Sequence, residues 1–114
     1  MKKLIIVFVG VLSLISFIGI PSKTLAATSI TSIVIDTYDD CDYFVAGNTN
    51  GFVVLEWYGG IMPEEMDKLV GQINSYGFKN IYNTTKRRNL RVWVEDYLLT
   101  AREAVEIINE KCNL

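Results

Sequence analysis

The N-terminal segment has the pattern of a secretory signal peptide, which limits the folded domain to the residues after it. A Lys-Lys pair precedes an apolar and small-residue run over residues 4–20, Pro21 ends the run, and small residues surround a cleavage bond after Ala26. The alternative interpretation is an uncleaved anchor, because the run is long for a signal peptide and slightly short for a membrane-spanning helix. We expect residues 1–26 to be removed, leaving residues 27–114 as one small secreted or periplasmic domain.

The domain that remains is acidic. Residues 27–114 keep eight of the 11 basic side chains and all 13 acidic ones, so their net charge is −5 at pH 7. Nucleic acid is a poor partner for such a chain, because affinity for phosphate backbones comes largely from clustered lysine and arginine. The same balance argues against anionic lipid, so we expect no membrane partner after cleavage.

Two cysteines, Cys41 and Cys112, allow only one intramolecular pairing. Export through an oxidising compartment favours a disulfide between them. Such a bridge would stabilise a small domain by about 4 kcal/mol in the chain-entropy account. Free thiols or an intermolecular bridge are the alternatives. The cysteines lack the Cys-x-x-Cys spacing that activates a thiol for redox catalysis.

Alternating apolar and polar residues predict a domain built mainly from short strands. A turn rich in glycine and asparagine at residues 47–51 predicts a hairpin between its flanking strands. In the strand before this turn, Cys41, Tyr43 and Val45 are expected to face the core, with the neighbouring aspartates facing solvent. The predicted strands cover residues 30–35, 38–46, 52–58, 78–82 and 90–97.

The segment over residues 63–77 fits two interpretations. Met66, Leu69 and Ile73 have helical spacing, with a proline near the start and a glycine at the end. Leu69, Gly71 and Ile73 also alternate with polar neighbours, as in a strand that ends in turn residues. The residue pattern alone does not choose between helix and strand.

The C-terminal residues predict a helix with a defined start. Thr100 and Glu103 form a capping box, in which each side chain accepts a hydrogen bond from the backbone amide of the other residue. One stripe of the helix should pack against the sheet and bring Cys112 to the core that Cys41 faces. The predicted stripe contains Ala101, Ala104, Val105, Ile108 and Cys112.

The residue inventory limits the chemistry available to the chain. Without histidine there is no Ser-His-Asp or Cys-His nucleophile and no histidine-bound zinc site. Glu56, Glu95 and Asp96 lie beside aromatic residues and could share acid and base roles in glycan hydrolysis. We expect instead that these carboxylates are solvent-exposed strand residues that keep the domain soluble and protect strand edges. We expect neither catalysis nor a cofactor.

Three further groups of polar residues are interpreted as surface features. The aspartates between residues 36 and 42 offer oxygen ligands that suit Ca²⁺, but their spacing does not match an EF-hand, so we expect a solvated rim and no metal. The basic run over residues 84–89 predicts a solvated turn rather than a binding patch. Asn83 begins a glycosylation sequon, a tripeptide that is common by chance.

The outward side chains of two strands form the candidate binding surface. If Val53, Leu55 and Trp57 fill the core, strand alternation turns the residues between them outward. Rigid aromatic area flanked by an arginine and carboxylates is the composition of binding hot spots. The competing interpretation is that the C-terminal helix covers this face. The candidate residues are Glu56, Tyr58, Arg91, Trp93, Glu95 and Tyr97.

Several stretches resemble a group of small secreted bacterial proteins of unknown function. They are LEWYGG at residues 55–60, NSYGFK at residues 74–79 and RVWVEDY at residues 91–97. In that group a Gly-Asp pair opens a strand where this chain has Met66-Asp67, and a cysteine stands near each end of the domain. The resemblance implies a strand rather than a helix after Asp67, and it implies no activity.

We therefore expect an α+β domain: a small antiparallel β-barrel or curved sheet of about five strands, similar to SH3-like or OB-like barrels, with one C-terminal helix. The expected function is a secreted, non-catalytic binding module for an envelope or extracellular protein or a glycan. The alternatives are an envelope inhibitor or immunity-like partner protein, and a carboxylate-dependent glycan hydrolase.

Overall fold

The structure, a computed structural model, describes residues 29–114, and the predicted signal peptide at residues 1–26 lies outside the described residues. The antiparallel strands follow the spatial order β1-β2-β3-β6-β5-β4, and β4 pairs with β1 to close a barrel. The predicted small barrel with one C-terminal helix is confirmed. The elements are β1 (Ile30–Tyr38), β2 (Cys41–Asn48), β3 (Gly51–Gly60), β4 (Lys68–Gly71), β5 (Gly77–Asn83), β6 (Arg88–Leu99) and α1 (Ala101–Cys112).

The ambiguous segment contains the short strand β4, which raises the strand number to six. Before β4 begins, Val34 in β1 accepts a hydrogen bond from the Met66 amide at 2.8 Å and donates one to the Asp67 carbonyl at 2.9 Å. The helical interpretation is wrong, because Met66 is 74% exposed whereas Leu69 and Ile73 are buried inside the barrel. A helix would have buried Met66 on the same stripe.

Alternate residues of the six strands fill the barrel interior. Val53 and Leu55 of β3 lie there as predicted, and Trp57 packs, half-buried, at the edge of the same cluster. Burial of this apolar surface is the main source of stability for a domain of this size. The fully enclosed members are Val34, Phe44, Ala46, Val53, Leu55, Leu69, Ile73, Ile81, Leu90, Val92 and Val94.

A second apolar layer lies between α1 and the outer face of the barrel. Val45 of β2 and Val54 of β3 are buried there against Ala104 and Ile108 of the helix. The prediction that Tyr43 and Val45 face the barrel core is therefore wrong in detail. They are on the outer face, beneath the helix, while their neighbours Phe44 and Ala46 point inside, so β2 is buried on both faces.

The capping box at the start of α1 is confirmed. The Glu103 amide donates to Thr100 Oγ1 at 3.2 Å, and the Thr100 amide donates to Glu103 Oε1 at 2.9 Å. The buried stripe differs from the predicted one. It consists of Ala104, Ile108 and Cys112, which are four residues apart and face the sheet, whereas Val105 faces solvent. Val105 is 53% exposed and Ala101 is exposed, whereas Ile107 is half-buried.

The disulfide between Cys41 and Cys112 is confirmed, with the two Cα atoms 5.6 Å apart. It joins the first residue of β2 to the last residue of α1 and so holds the helix against the outer layer. Within residues 29–114, no helix has the length and apolar character that crossing a membrane requires.

Candidate functional site

Two irregularities in β6 determine which of its side chains face outward. Val54 pairs with Asp96 and Leu55 pairs with Val94, so Glu95 is an extra residue that interrupts the alternation. Leu98, in the left-handed region at φ 57°, lies in the second irregularity. Beyond Glu95 the faces exchange, and Tyr97 packs against the interior cluster. The prediction that Tyr97 lies outward beside Trp93 is therefore wrong.

One row of outward side chains crosses four neighbouring strands. Tyr43 pairs with Glu56, Glu56 pairs with Trp93, and Trp93 pairs with Phe78. The helix packs on the Tyr43 end of this row, where Lys111 Nζ lies 5.9 Å from the Tyr43 ring centroid. Phe78, at the other end, is 46% exposed.

Three aromatic rings and one guanidinium form a continuous surface, which we call the aromatic ridge: Tyr58, Phe78, Trp93 and Arg91. The ring centroids of Tyr58 and Phe78 are 4.8 Å apart, and those of Phe78 and Trp93 are 4.9 Å apart, both edge-to-face. The Arg91 guanidinium lies 4.7 Å above the Phe78 ring. These contacts hold the rings in place, yet Tyr58 remains 51% exposed.

Glu56 lies at the polar margin of the ridge, between two tyrosine hydroxyls. The negative charge of Glu56, followed by desolvation, raises the pKa of Tyr58 above its ordinary value. Burial, followed by a hydrogen bond with Glu56, raises the pKa of Tyr43. Both hydroxyls therefore keep their protons at neutral pH and can donate hydrogen bonds.

Four of the six predicted surface residues come together in this region: Glu56, Tyr58, Arg91 and Trp93. Glu95 is close to the end of the helix, where its carboxylate lies 3.6 Å from Lys111 Nζ. Tyr97 instead contacts Tyr76, with ring centroids 4.9 Å apart. Sequence reasoning missed Phe78. This residue lies three positions before the buried Ile81 in the same strand, so strand alternation already placed its side chain on the outer face.

The acidic residues near the β1–β2 turn are spread over an exposed rim. Asp36, Asp39, Asp40 and Asp42 are all exposed. In the part of the chain that the structure describes, no three histidine, cysteine, aspartate or glutamate side chains are grouped closely enough to hold a metal ion. The solvated rim predicted for these aspartates agrees with their exposure.

The turn between β5 and β6 is less solvated than its sequence predicts. Lys86 is half-buried and contacts the buried carboxylate of Asp67 at 2.9 Å. Asn83 is fully buried and donates its side-chain amide to Asp67 at 2.8 Å. In the folded domain, the Asn83 side chain is therefore inaccessible for glycosylation.

Comparisons of the chain with protein-family models, with curated proteins and with solved structures find no match. The chemistry of the aromatic ridge and its surroundings is therefore the basis for assigning a function.

Proposed function

We propose that this chain is an extracytoplasmic, non-catalytic binding module and that the aromatic ridge is its ligand-binding surface. The carrying observation is that Tyr58 and Phe78 remain about half exposed, 51% and 46%, although α1 buries another sector of the same barrel wall. Contiguous apolar area of this kind on a small domain is typical of interaction sites. Aromatic rings beside an arginine are the residue types that dominate binding energy at interfaces.

Two features support the proposed extracytoplasmic compartment. The first 26 residues have the pattern of a signal peptide, and the Cys41–Cys112 disulfide suits an oxidising environment outside the cytoplasm. The ligand is therefore one that the protein meets in the envelope or in the medium.

Binding accounts for the polar groups of the site better than hydrolysis does. Glu56 hydrogen-bonds with tyrosine hydroxyls, and Glu95 is paired with Lys111, so each carboxylate already has a partner within the domain. A glycan hydrolase needs one carboxylic acid that keeps its proton and a second carboxylate at a set separation. An inhibitor or immunity-like partner would be a binding module of the same kind with a protein ligand.

The test is ligand capture by the immobilised, disulfide-bonded domain from envelope and culture-medium extracts. Phe78→Ser and Trp93→Ala should lose the captured ligand. Val105→Ser, which removes a comparably exposed apolar side chain from α1, should retain it. Equal capture by all variants, or no capture by the unmodified domain, would count against the proposal.

A further inference from the structure

Three open depressions share residues with one another, and two of them include a residue of the aromatic ridge, Phe78 in one and Arg91 in the other. Asn89 lines all three, Gly60 lines two, and Asn80 lines two. We call the two that meet at Gly60 the basic groove, defined by Gly60, Asn80, Arg87, Arg88, Asn89 and Arg91. Although residues 27–114 carry a net charge of −5, none of the residues that line the three depressions is an aspartate or glutamate.

The positive charge of this groove is uncompensated. Lys86 and Lys111 are paired with carboxylates elsewhere on the surface. Within residues 29–114, by contrast, Arg87 and Arg88 make no ion pair, and both are exposed. A chain with a net negative charge thus keeps three of its four arginines on one groove without acidic partners.

Arg91 links the basic groove to the aromatic ridge. Its Nη1 donates to Asn80 Oδ1 at 3.3 Å, and its guanidinium lies over the Phe78 ring. The Asn80 amide holds one edge of the guanidinium and the Phe78 ring holds one face. The side chain is therefore restricted before a ligand binds, and less side-chain entropy is lost on binding. Phe78 is exposed beside it.

Two glycines of β3, Gly59 and Gly60, line the groove without side chains. A Cβ atom at Gly60 would lie 2.4 Å from the Asn89 carbonyl oxygen, and Gly60 has φ +80°. At the adjacent Gly59, a Cβ atom would meet nothing within 4 Å. The strands approach each other closely at Gly60, and no side chain rises from Gly59, so the groove is open along this edge.

We infer that the basic groove binds an acidic glycan, a sugar chain that carries carboxylate groups. Guanidinium groups pair with carboxylates through two parallel hydrogen bonds. The side-chain amides of Asn80 and Asn89 suit sugar hydroxyls, and the rings of Tyr58 and Phe78 offer apolar faces to the C–H side of a sugar ring. The inference rests on the proposed function, because Arg91 belongs to both the aromatic ridge and the basic groove, and Phe78 lines the neighbouring depression.

Two other ligand classes fit the same surface less well. Duplex nucleic acid carries about one negative charge per 1.7 Å, a higher density than one carboxylate per sugar ring, so the domain's net charge of −5 repels it more strongly than it repels an acidic glycan. A small molecule would need a concave pocket that buries most of its surface, whereas the depressions here are open. A chain of acidic sugars carries its charges one sugar ring apart and makes several separate contacts along an open groove, so it fits both the charge and the shape of this surface better.

The test uses the exported, disulfide-bonded protein and a hexasaccharide of galacturonic acid, with a neutral glucose hexasaccharide of the same length as the comparison. Titration calorimetry should give binding of the acidic hexasaccharide that weakens severalfold between about 20 mM and about 200 mM NaCl, because salt screens exposed charges. The neutral hexasaccharide should bind at least about tenfold more weakly, since it cannot make charge-assisted contacts.

Single charge removals locate the site. Arg88→Gln and Arg91→Gln should each weaken binding of the acidic hexasaccharide about three- to tenfold, the range for a partly exposed charged contact. Arg102→Gln removes the same charge from the exposed start of α1 and should leave affinity unchanged. Unchanged melting temperatures would show that all three variants fold.

Four results would overturn the inference: no binding of the acidic hexasaccharide, equal binding of the neutral one, equal losses in the Arg102→Gln control, or tighter binding of a single-stranded DNA hexamer. If Phe78→Ser still abolishes ligand capture from extracts while the acidic hexasaccharide fails to bind, the glycan assignment alone is wrong. If capture is also insensitive to Phe78, the proposed binding surface is wrong as well.

Discussion

The ammonium group of Lys86 lies 2.9 Å from the carboxylate of Asp67, a residue that is only 3% exposed. The same carboxylate accepts hydrogen bonds from the Asn83 side chain at 2.8 Å and the Glu64 amide at 3.0 Å. The Asn83 side-chain oxygen in turn accepts a hydrogen bond from the Lys86 amide at 2.9 Å. The segment before β4 is thereby joined to the turn between β5 and β6.

Replacing Asp67 with asparagine should lower the free energy of unfolding by about 2 kcal/mol at pH 7, because charge-assisted hydrogen bonds to a buried group are lost. Burial alone would raise the pKa of Asp67, but the hydrogen bonds from Glu64, Asn83 and Lys86 outweigh it and hold the pKa below its ordinary value. The stabilisation is therefore present above about pH 4 and is lost as the pH falls through the folded-state pKa.

Urea unfolding of the unmodified protein and Asp67→Asn from neutral to acidic pH checks this prediction. The difference in midpoint between the two proteins should shrink below about pH 4. The exposed Asp42→Asn serves as the matched control and should change the midpoint little at any pH. A difference for Asp67→Asn that persists unchanged into strong acid would contradict the ionic explanation.

Reduction of the Cys41–Cys112 disulfide should destabilise the domain by about 4 kcal/mol, because the bridge closes a long loop in the unfolded chain. Denaturant unfolding with and without reductant measures the effect, and a Cys41→Ser/Cys112→Ser variant should match the reduced protein. The exported protein should have no thiol that can be alkylated after unfolding. Two alkylated cysteines in that protein would contradict the bridge.

Replacing Thr100 with alanine should cost about 1 kcal/mol, because the Glu103 amide at the start of α1 loses its acceptor. Glu103→Ala removes the reciprocal hydrogen bond and should also lower the unfolding midpoint. Glu106→Ala, an exposed position within the same helix, is the control for general effects of removing an acid. Equal midpoints for Thr100→Ala and the unmodified protein would show that the cap contributes nothing.

Replacing Gly71 with alanine should destabilise the barrel by about 1–3 kcal/mol, the usual cost of overpacking. The new Cβ atom would lie 2.4 Å from Ile81 Cγ2, where β4 and β5 meet. Gly59→Ala is the matched control, because its Cβ atom would have open space. In combination with Ile81→Ala, the Gly71→Ala cost should fall, and strictly additive losses would mean that the strain has another source.

The features that sequence reasoning predicted correctly depend on nearby residues or on chain-wide alternation. Thr100 and Glu103 are three positions apart, so the capping box is visible without any tertiary information. Alternation placed Val53 and Leu55 inside and Glu56 outside. It could not show that Val54 is buried too, because which outer sector α1 covers depends on how the whole barrel curves.

The sequence features that misled depend on irregularities in strand pairing. The extra residue at Glu95 exchanges the faces of β6 and turns Tyr97 inward, but no glycine or proline marks that bulge in the sequence. The contact between Asp67 and Lys86 joins residues 19 positions apart, and only the register of β4 against β5 brings them together. The basic run over residues 84–89, predicted to be a solvated turn, therefore contains Lys86, which pairs with a buried carboxylate, and Arg87 and Arg88, which make no ion pair within residues 29–114.

The short strand β4 gives the barrel an uneven resistance to opening. It is four residues long and meets β5 at only two residue pairs, Leu69 with Asn83 and Val70 with Tyr82, whereas β5 and β6 are paired along the full length of β5. Local unfolding should therefore part the wall here first, and amide hydrogen exchange should be fastest along β4. The wall that carries the aromatic rings would stay intact as a curved sheet during such openings.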